Sequence, residues 1–465
     1  MWSVSATVIK NCFVLITYMF LTRILPPASL GFITITMVVF GAAQSFIDSG
    51  FTSALIRQPK IDKNLFSSLY WFCVIIGILS AILLIISSYI VTSISDDPSY
   101  IRLFLTASTI LGFNSFGQFF LSLLHRQLLF KKIAFVEITS SIITFIVTVF
   151  RSLNGAGPAA YFEGASAGAL WSTLAAIILT RKIFIPRFRF QFSDIQVVMK
   201  FGFYNTLERV VTFVSFNLEK PLIANFFSLE TLGYYAIINQ LVTRPLMFFS
   251  AAFSRVAYPM CVKLQNDHSA LNNFYLQNLG KLALITFPIY GFIYIFSNTI
   301  IVFLFGERYL PAVEYVLPLC ILGAIWSIGN PFGSYLMALN KANIGFYLNL
   351  ISTIITFSIY LVGSRFELQK MLWLCVGVQI LILIPIECIL LFRFTKLSSL
   401  RYIKELIPHA SFVILLAVLI HFIFPMPFLQ KTYSNMIVQF LSFSIIYSTY
   451  ALLFFNFFPE KTEEA

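Results

Sequence analysis

The chain has 465 residues, of which 59% are hydrophobic and 11% charged, whereas a soluble domain carries about 25% charge. Its apolar runs are continuous and lack the ten-residue in–out alternation of a transmembrane barrel, which excludes that class. The formal charge of +12 would suit a nucleic-acid binder, but the cations collect in alternate connectors, which points to lipid headgroups instead.

A helix crosses the hydrocarbon with roughly 20 apolar residues. On that length the chain divides into about fourteen spans, at 3–24, 30–50, 66–94, 99–123, 133–151, 158–180, 201–226, 231–260, 278–304, 313–338, 343–362, 371–392, 407–424 and 436–457. The expected fold is an all-α polytopic membrane protein of about 14 transmembrane helices, in two six-helix lobes plus two C-terminal helices. Residues 1–181 form the first lobe, 182–200 a basic and aromatic linker, and 201–396 the second lobe. Residues 397–465 add two spans and a short acidic tail. Transporters are often built from such repeated halves; here the division rests on span count and linker position. With the N-terminus inside, 20 Lys and Arg residues fall on the cytoplasmic side and 7 on the outer side. Both termini are therefore expected in the cytoplasm.

The first span opens at once, carries Lys10 and lacks a small-residue cleavage pattern, so it reads as a retained helix rather than a signal peptide. Asp48, before Gly50, reads as a cap or turn at the end of the second span. Asp96-Asp97-Pro98 in an outer connector reads as a helix start, because the loop is too small to cradle a nucleotide-sugar. Asn114 and Gln118 lie one turn apart in the fourth span, suited to interhelical hydrogen bonds. Glu137 in the fifth span and Glu387 in the twelfth each suit a neighbouring cation or a coupling proton.

The linker contains IFIPRFRFQF, basic and aromatic residues interleaved, followed by Ser193-Asp194 as an N-cap. Between two membrane spans this composition is expected to lie along headgroups rather than bind single-stranded nucleic acid.

The seventh span carries the densest polar signal. At about 100° per residue with Asn205 as zero, Glu208, Arg209, Thr212, Ser215, Glu219 and Lys220 fall between about −80° and +60°. Leu207, Val210, Val211, Phe213, Val214 and Leu218 cover the rest, with Asn217 the exception. Such a stripe must face protein or water, because one charge facing lipid costs at least about 2.5–3.5 kcal/mol. In the eighth span Asn239, Gln240 and Arg244 precede Pro245, which withdraws a backbone donor and is expected to bend the helix. Arg209 lies roughly 12 Å from the cytoplasmic end of its span, and Arg244 and Lys10 are expected at a comparable depth.

Two readings of these residues stand side by side. In one, Lys10, Arg209, Arg244 and Lys220 line a cationic chamber with Asn205, Thr212, Gln240 and Asn239, and Glu208 and Glu219 serve ion coupling. In the other, the charges neutralise one another as structural pairs and Lys10 snorkels. Elsewhere, Asn330-Pro331 marks a bend or break in the tenth span. The six cysteines and four histidines show no ligand spacing, so neither a disulfide nor a metal is expected. No GxxxxGK[ST], GxSxG or HExxH motif occurs, so neither a cofactor nor an enzymatic role is expected.

Several segments then carry a family likeness: RILPPASLGF (23–32), DSGFTSALIR (48–57) and LYW (69–71) early, with NLEKPLIANFFSLETLGYYAI (217–237), RVAYPMCVKLQND (255–267), FLFGERY (303–309) and NPFGSYLMALNKAN (330–343) later. In order and spacing these resemble Wzx-type O-antigen and exopolysaccharide flippases. The likeness is to the colanic-acid-exporter branch of the multidrug/oligosaccharidyl-lipid/polysaccharide exporter superfamily, over about residues 1–400. The resemblance implies a two-lobed transporter with a central cationic cavity. It would flip an undecaprenyl-diphosphate-linked oligosaccharide across the bacterial inner membrane by alternating access, coupled to an ion gradient. Lipid-linked substrate, membrane lipids and other polysaccharide-assembly proteins are the expected partners; nucleic acid is not. The chain departs from the family pattern in opening directly on its first helix, without a short basic leader. It also carries Glu219-Lys220 where the family shows an Asp-Lys pair. The competing functions are a cation-coupled exporter of small drugs, which would favour carboxylates and aromatics over arginines, and an O-antigen polymerase or ligase. The latter would call for a large outer loop, and every outer connector here is short.

Overall fold

The structure, a computed structural model, describes residues 2–47, 63–95, 99–339, 341–363, 365–395, 399–423, 443–444 and 446–450. Asp48, Asp96-Asp97, the 48–57 motif, the acidic tail and most of the fourteenth span lie outside the described residues. Every regular element among those described is helical, and nine helices are long and apolar enough to cross a membrane. The expected all-α membrane architecture is therefore present.

In chain order the helices are α1 (Trp2–Ile24), α2 (Pro27–Ile47), α3 (Lys63–Ser95), α4 (Ser99–Arg126), α5 (Phe130–Leu153) and α6 (Ala159–Thr180). There follow α7 (Phe192–Asn217), α8 (Glu219–Phe226), α9 (Leu229–Lys263), α10 (His268–Ile295) and α11 (Ser297–Phe305). A 3-10 segment (Glu307–Tyr315) leads into α12 (Val316–Ala338), then α13 (Ala342–Gly363) and α14 (Leu368–Val378). A π turn (Gln379–Leu383) joins α14 to α15 (Ile384–Thr395), and α16 (Ser399–Ile423) closes the series.

Prolines account for two irregularities. Pro221 has no N–H to offer the carbonyl four residues back, that of Asn217, so the seventh span stops there and restarts as α8 after Leu218. Pro385 likewise cannot bond the carbonyl of Leu381, and the π turn ends two residues before it. Other prolines behave differently. Pro245 and Pro259 sit inside continuous α9, and Pro331 inside continuous α12.

Two compact units emerge, Met1–Ala236 with Leu304–Tyr309, and Ile237–Phe303 with Leu310–Ala465. Within the first, helices approach through glycine and hydroxyl residues. A Cβ on Gly164 would strike Thr148, one on Gly168 would strike Thr144, and one on Gly117 would strike Thr173. Ser140 Oγ donates to the Gly168 carbonyl at 2.9 Å, and Thr173 Oγ1 to the Phe113 carbonyl at 2.8 Å. Lipid tails are as apolar as Leu, so transmembrane helices gain little from burying Leu against Leu; close backbone approach and interhelical hydrogen bonds hold them instead. At the start of α3, Phe66, Tyr70, Phe119, Phe120 and Phe184 form an aromatic core with ring centroids 5.4–6.2 Å apart.

The second unit has its own core, built on Tyr275, Leu279, Phe332, Tyr335 and Tyr402. Asp267 caps α10, its carboxylate accepting from the Ser269 and Ala270 N–H groups at 2.9 and 3.0 Å. Interior polar groups find partners here: Tyr335 OH donates to Asn272 Oδ1 at 3.0 Å, Tyr290 OH to the Val242 carbonyl at 3.1 Å, and Thr286 shares a hydrogen bond with Ser327.

Candidate functional site: a charged helix face

Helix α7 is held in the first unit by a narrow seam. Ile195, Gly202 and Thr206 are buried, and their spacing of seven and four places them on one face. The ring of Phe213 continues the contact by resting on Gly41 of α2, where a Cβ would collide with it. Beside this seam a cavity of about 160 Å³ is lined by Phe46, Phe72, Ile76, Met199, Phe203, Thr206 and Leu207. That lining is apolar except for one hydroxyl, so the cavity offers nothing to a diphosphate.

The polar stripe lies off the seam. Arg209 and Thr212 are exposed, and Ser215 is half-buried. Asn205 and Glu208 belong to α7 by backbone, but their side chains lie outside the described residues. At the break after α7, Glu219 opens α8 and is half-buried, an acid placed where the helix N-terminus is positive. Lys220 Nζ donates to Asn217 Oδ1 at 2.5 Å, and Asn217 Nδ2 donates to the Phe213 carbonyl at 2.8 Å. Asn217, the residue that fell off the helical stripe, is thus the group that orients Lys220. The two are three residues apart, a spacing at which side chains meet along a helix.

Lys10 of α1 is half-exposed and stands 4.0 Å from Glu137 of α5. Among the described residues, no hydrogen bond or ion pair joins Lys10, Arg209 and Lys220 to one another. In the second unit Asn239 and Gln240 are half-buried and Arg244 is exposed, one turn beyond Gln240 on α9. Glu387 is half-buried near Tyr275 and Tyr402.

Sequence reasoning passed over two features of the first unit. Glu163, at the start of α6, takes Arg102 of α4 at 3.1 Å and Arg151 of α5 in a shorter contact, tying three helices together. Both arginines count among the seven outer-side cations of the span assignment, which is the signal the sequence carries for this cluster. The second feature unites three of the motifs. Tyr309 of FLFGERY donates to the Leu25 carbonyl of RILPPASLGF at 3.0 Å, and its ring meets Tyr234 edge-on. Gly31 lies so near the Leu229 carbonyl, and Gly233 so near the Pro27 carbonyl, that a Cβ at either position would collide.

Comparison with known proteins agrees with this architecture. The chain is 25% identical over 364 residues to the lipopolysaccharide biosynthesis protein WzxC of Escherichia coli (strain K12), covering 78% of this chain and 74% of that protein. It is 28% identical over 310 residues to the teichuronic acid biosynthesis protein TuaB of Bacillus subtilis (strain 168), covering 66% and 63%. Among solved structures, the lipid II flippase MurJ in an inward closed conformation superimposes with a TM-score of 0.74 at 16% identity, over 98% of both chains. A multidrug resistance MATE family transporter of the MOP superfamily, inward-facing, matches with a TM-score of 0.61 at 12% identity, over 86% of this chain and 95% of that one. The fold is therefore that of the MOP superfamily transporters, as the motifs implied. With residues 20–314, more than half of its length, matching the family profile, the chain belongs to the polysaccharide biosynthesis protein family.

Proposed function

We propose that this protein is a transporter that flips a lipid-linked oligosaccharide, carried on undecaprenyl diphosphate, across a bacterial inner membrane for polysaccharide export. The observation that carries this reading is the family match over residues 20–314 together with the exposure of Arg209 and Thr212 on α7. A diphosphate moving past hydrocarbon needs guanidinium and ammonium donors, whose charge-assisted bonds are about twice as strong as neutral ones. Arg209, Lys220 and Lys10 supply such donors in the first unit, and Arg244 in the second. Asn205, Thr212, Asn239 and Gln240 suit sugar hydroxyls, and Glu208 and Glu219 are the carboxylates for ion coupling. We assign residues 1–181 and 201–396 to the two lobes that alternate access, with both termini cytoplasmic. Other polysaccharide-assembly proteins would receive the flipped unit.

The test is complementation of a strain lacking its own flippase. Wild-type protein should restore surface polysaccharide and clear lipid-linked units from the inner leaflet, whereas a polymerase would change only chain length. An Arg209→Gln, Arg244→Gln double variant, present at normal level, should leave those units accumulated. Full export by that variant would refute the assigned donors.

A further inference from the structure

The connector between α6 and α7 is a basic and aromatic motif that the transport reading leaves unused. From Arg187 to Phe192 it alternates by two: Phe188, Phe190 and Phe192 on one parity, Arg187, Arg189 and Gln191 on the other. Such alternation belongs to extended chain, whose side chains point in turn to opposite sides.

Helix α3 fastens this segment through its backbone. Trp71 Nε1 donates to the Arg187 carbonyl at 2.8 Å, the Arg187 N–H donates to Ser67 Oγ at 3.1 Å, and the Gln191 N–H donates to Ser68 Oγ at 3.1 Å. Phe188 stacks on the Trp71 ring with centroids 5.2 Å apart, and Phe184 is buried in the aromatic core. Extended chain at the edge of a membrane needs partners for its polar backbone groups, and α3 provides three.

The groups left outward are of two kinds. Phe188 is 96% exposed and Ile185 71%, with Phe190 and Phe192 also exposed. Arg181, Lys182, Arg187 and Arg189 are exposed as well, and residues 181–193 contain no Asp or Glu. Exposed rings beside exposed cations, in a stretch without carboxylates, match an anionic bilayer surface, where rings enter the headgroup boundary and cations meet phosphates. A rigidly fastened segment also presents both without the ordering cost a free loop would carry.

We propose that residues 181–192 form a fixed binding strap for the anionic lipid headgroups of the cytoplasmic leaflet, independent of the transported substrate. The test is amide hydrogen exchange of the full-length protein in nanodiscs of phosphatidylcholine alone or with phosphatidylglycerol. Amides of 185 and 187–190 should exchange more slowly with phosphatidylglycerol, and raised salt should remove the difference. Arg187→Gln with Arg189→Gln should weaken that protection roughly 25-fold, at about fivefold per cation near an anionic surface. Phe188→Ala should weaken it separately, and both variants should keep wild-type elution and thermal stability. Equal exchange in the two lipids, or full lipid-dependent protection in the arginine variant, would overturn the proposal. So would equal protection from inorganic phosphate, or from a single-stranded oligonucleotide, in phosphatidylcholine discs.

Discussion

Glu163 answers two guanidiniums with one carboxylate and is the less exposed partner in both contacts, 18% against 55% for Arg102 and 41% for Arg151. Removing its charge leaves both arginines short of an anion, a cost moderated because each reaches solvent. Glu163→Gln should therefore destabilise the first unit by about 1–2 kcal/mol, read as a lower unfolding temperature in detergent. An unchanged temperature would make the triad ornamental. Arg209 stands differently: exposed on α7, it has no acid whose loss would be felt in folding among the described residues. Arg209→Gln should leave thermal stability alone while lowering polysaccharide export about 10- to 100-fold, the range for losing a charged hydrogen bond. Lys220 gives a third, mixed outcome. Asn217→Ala should impair export through Lys220 without removing any charge, because it deletes the oxygen that orients the ammonium. Export equal to wild type would show that this orientation is not used.

Helix contacts divide the glycines into two groups. Gly168 meets Thr144 and the Ser140 carbonyl at close range, whereas a Cβ on Gly112 would find nothing within 4 Å. Gly168→Leu should separate α5 from α6 and cost about 1–3 kcal/mol or more through overpacking. Gly112→Ala should be neutral or slightly stabilising, since Ala loses less backbone entropy in a helix. Thermal melts of the two variants make the comparison, and equal melts would remove the close-approach argument. At this scale the sequence held a local signal that the span reading passed over: Pro221 and Pro385, inside spans taken as continuous, stand beside a helix break and a π turn because a missing N–H acts four residues away. It was less informative where packing intervenes, as at Asn330-Pro331, where helix α12 runs through unbroken. The Glu219-Lys220 pair looked like part of one continuous stripe, yet the helix breaks at Leu218 and Lys220 donates to Asn217, which lies off that stripe.

For the molecule as a whole, sidedness is the property most directly open to test. Reporter fusions should show a fluorescent protein at the C-terminus active in the cytoplasm and alkaline phosphatase after Asn154 active outside. The reverse pattern would invert the orientation and move the linker strap to the other leaflet. Membrane class, family and the asymmetry of cations were legible in the bare chain, because each follows from a local quantity: apolar run length, motif order, or charge per connector. Folding alone decided which embedded charges have company. Lys10 comes beside Glu137, Glu163 gathers two arginines, and Tyr309 reaches the Leu25 carbonyl 284 residues away. The energy of a charge or polar group in a membrane depends on the distance to its partner and on what shields it. A linear order of residues does not contain either quantity.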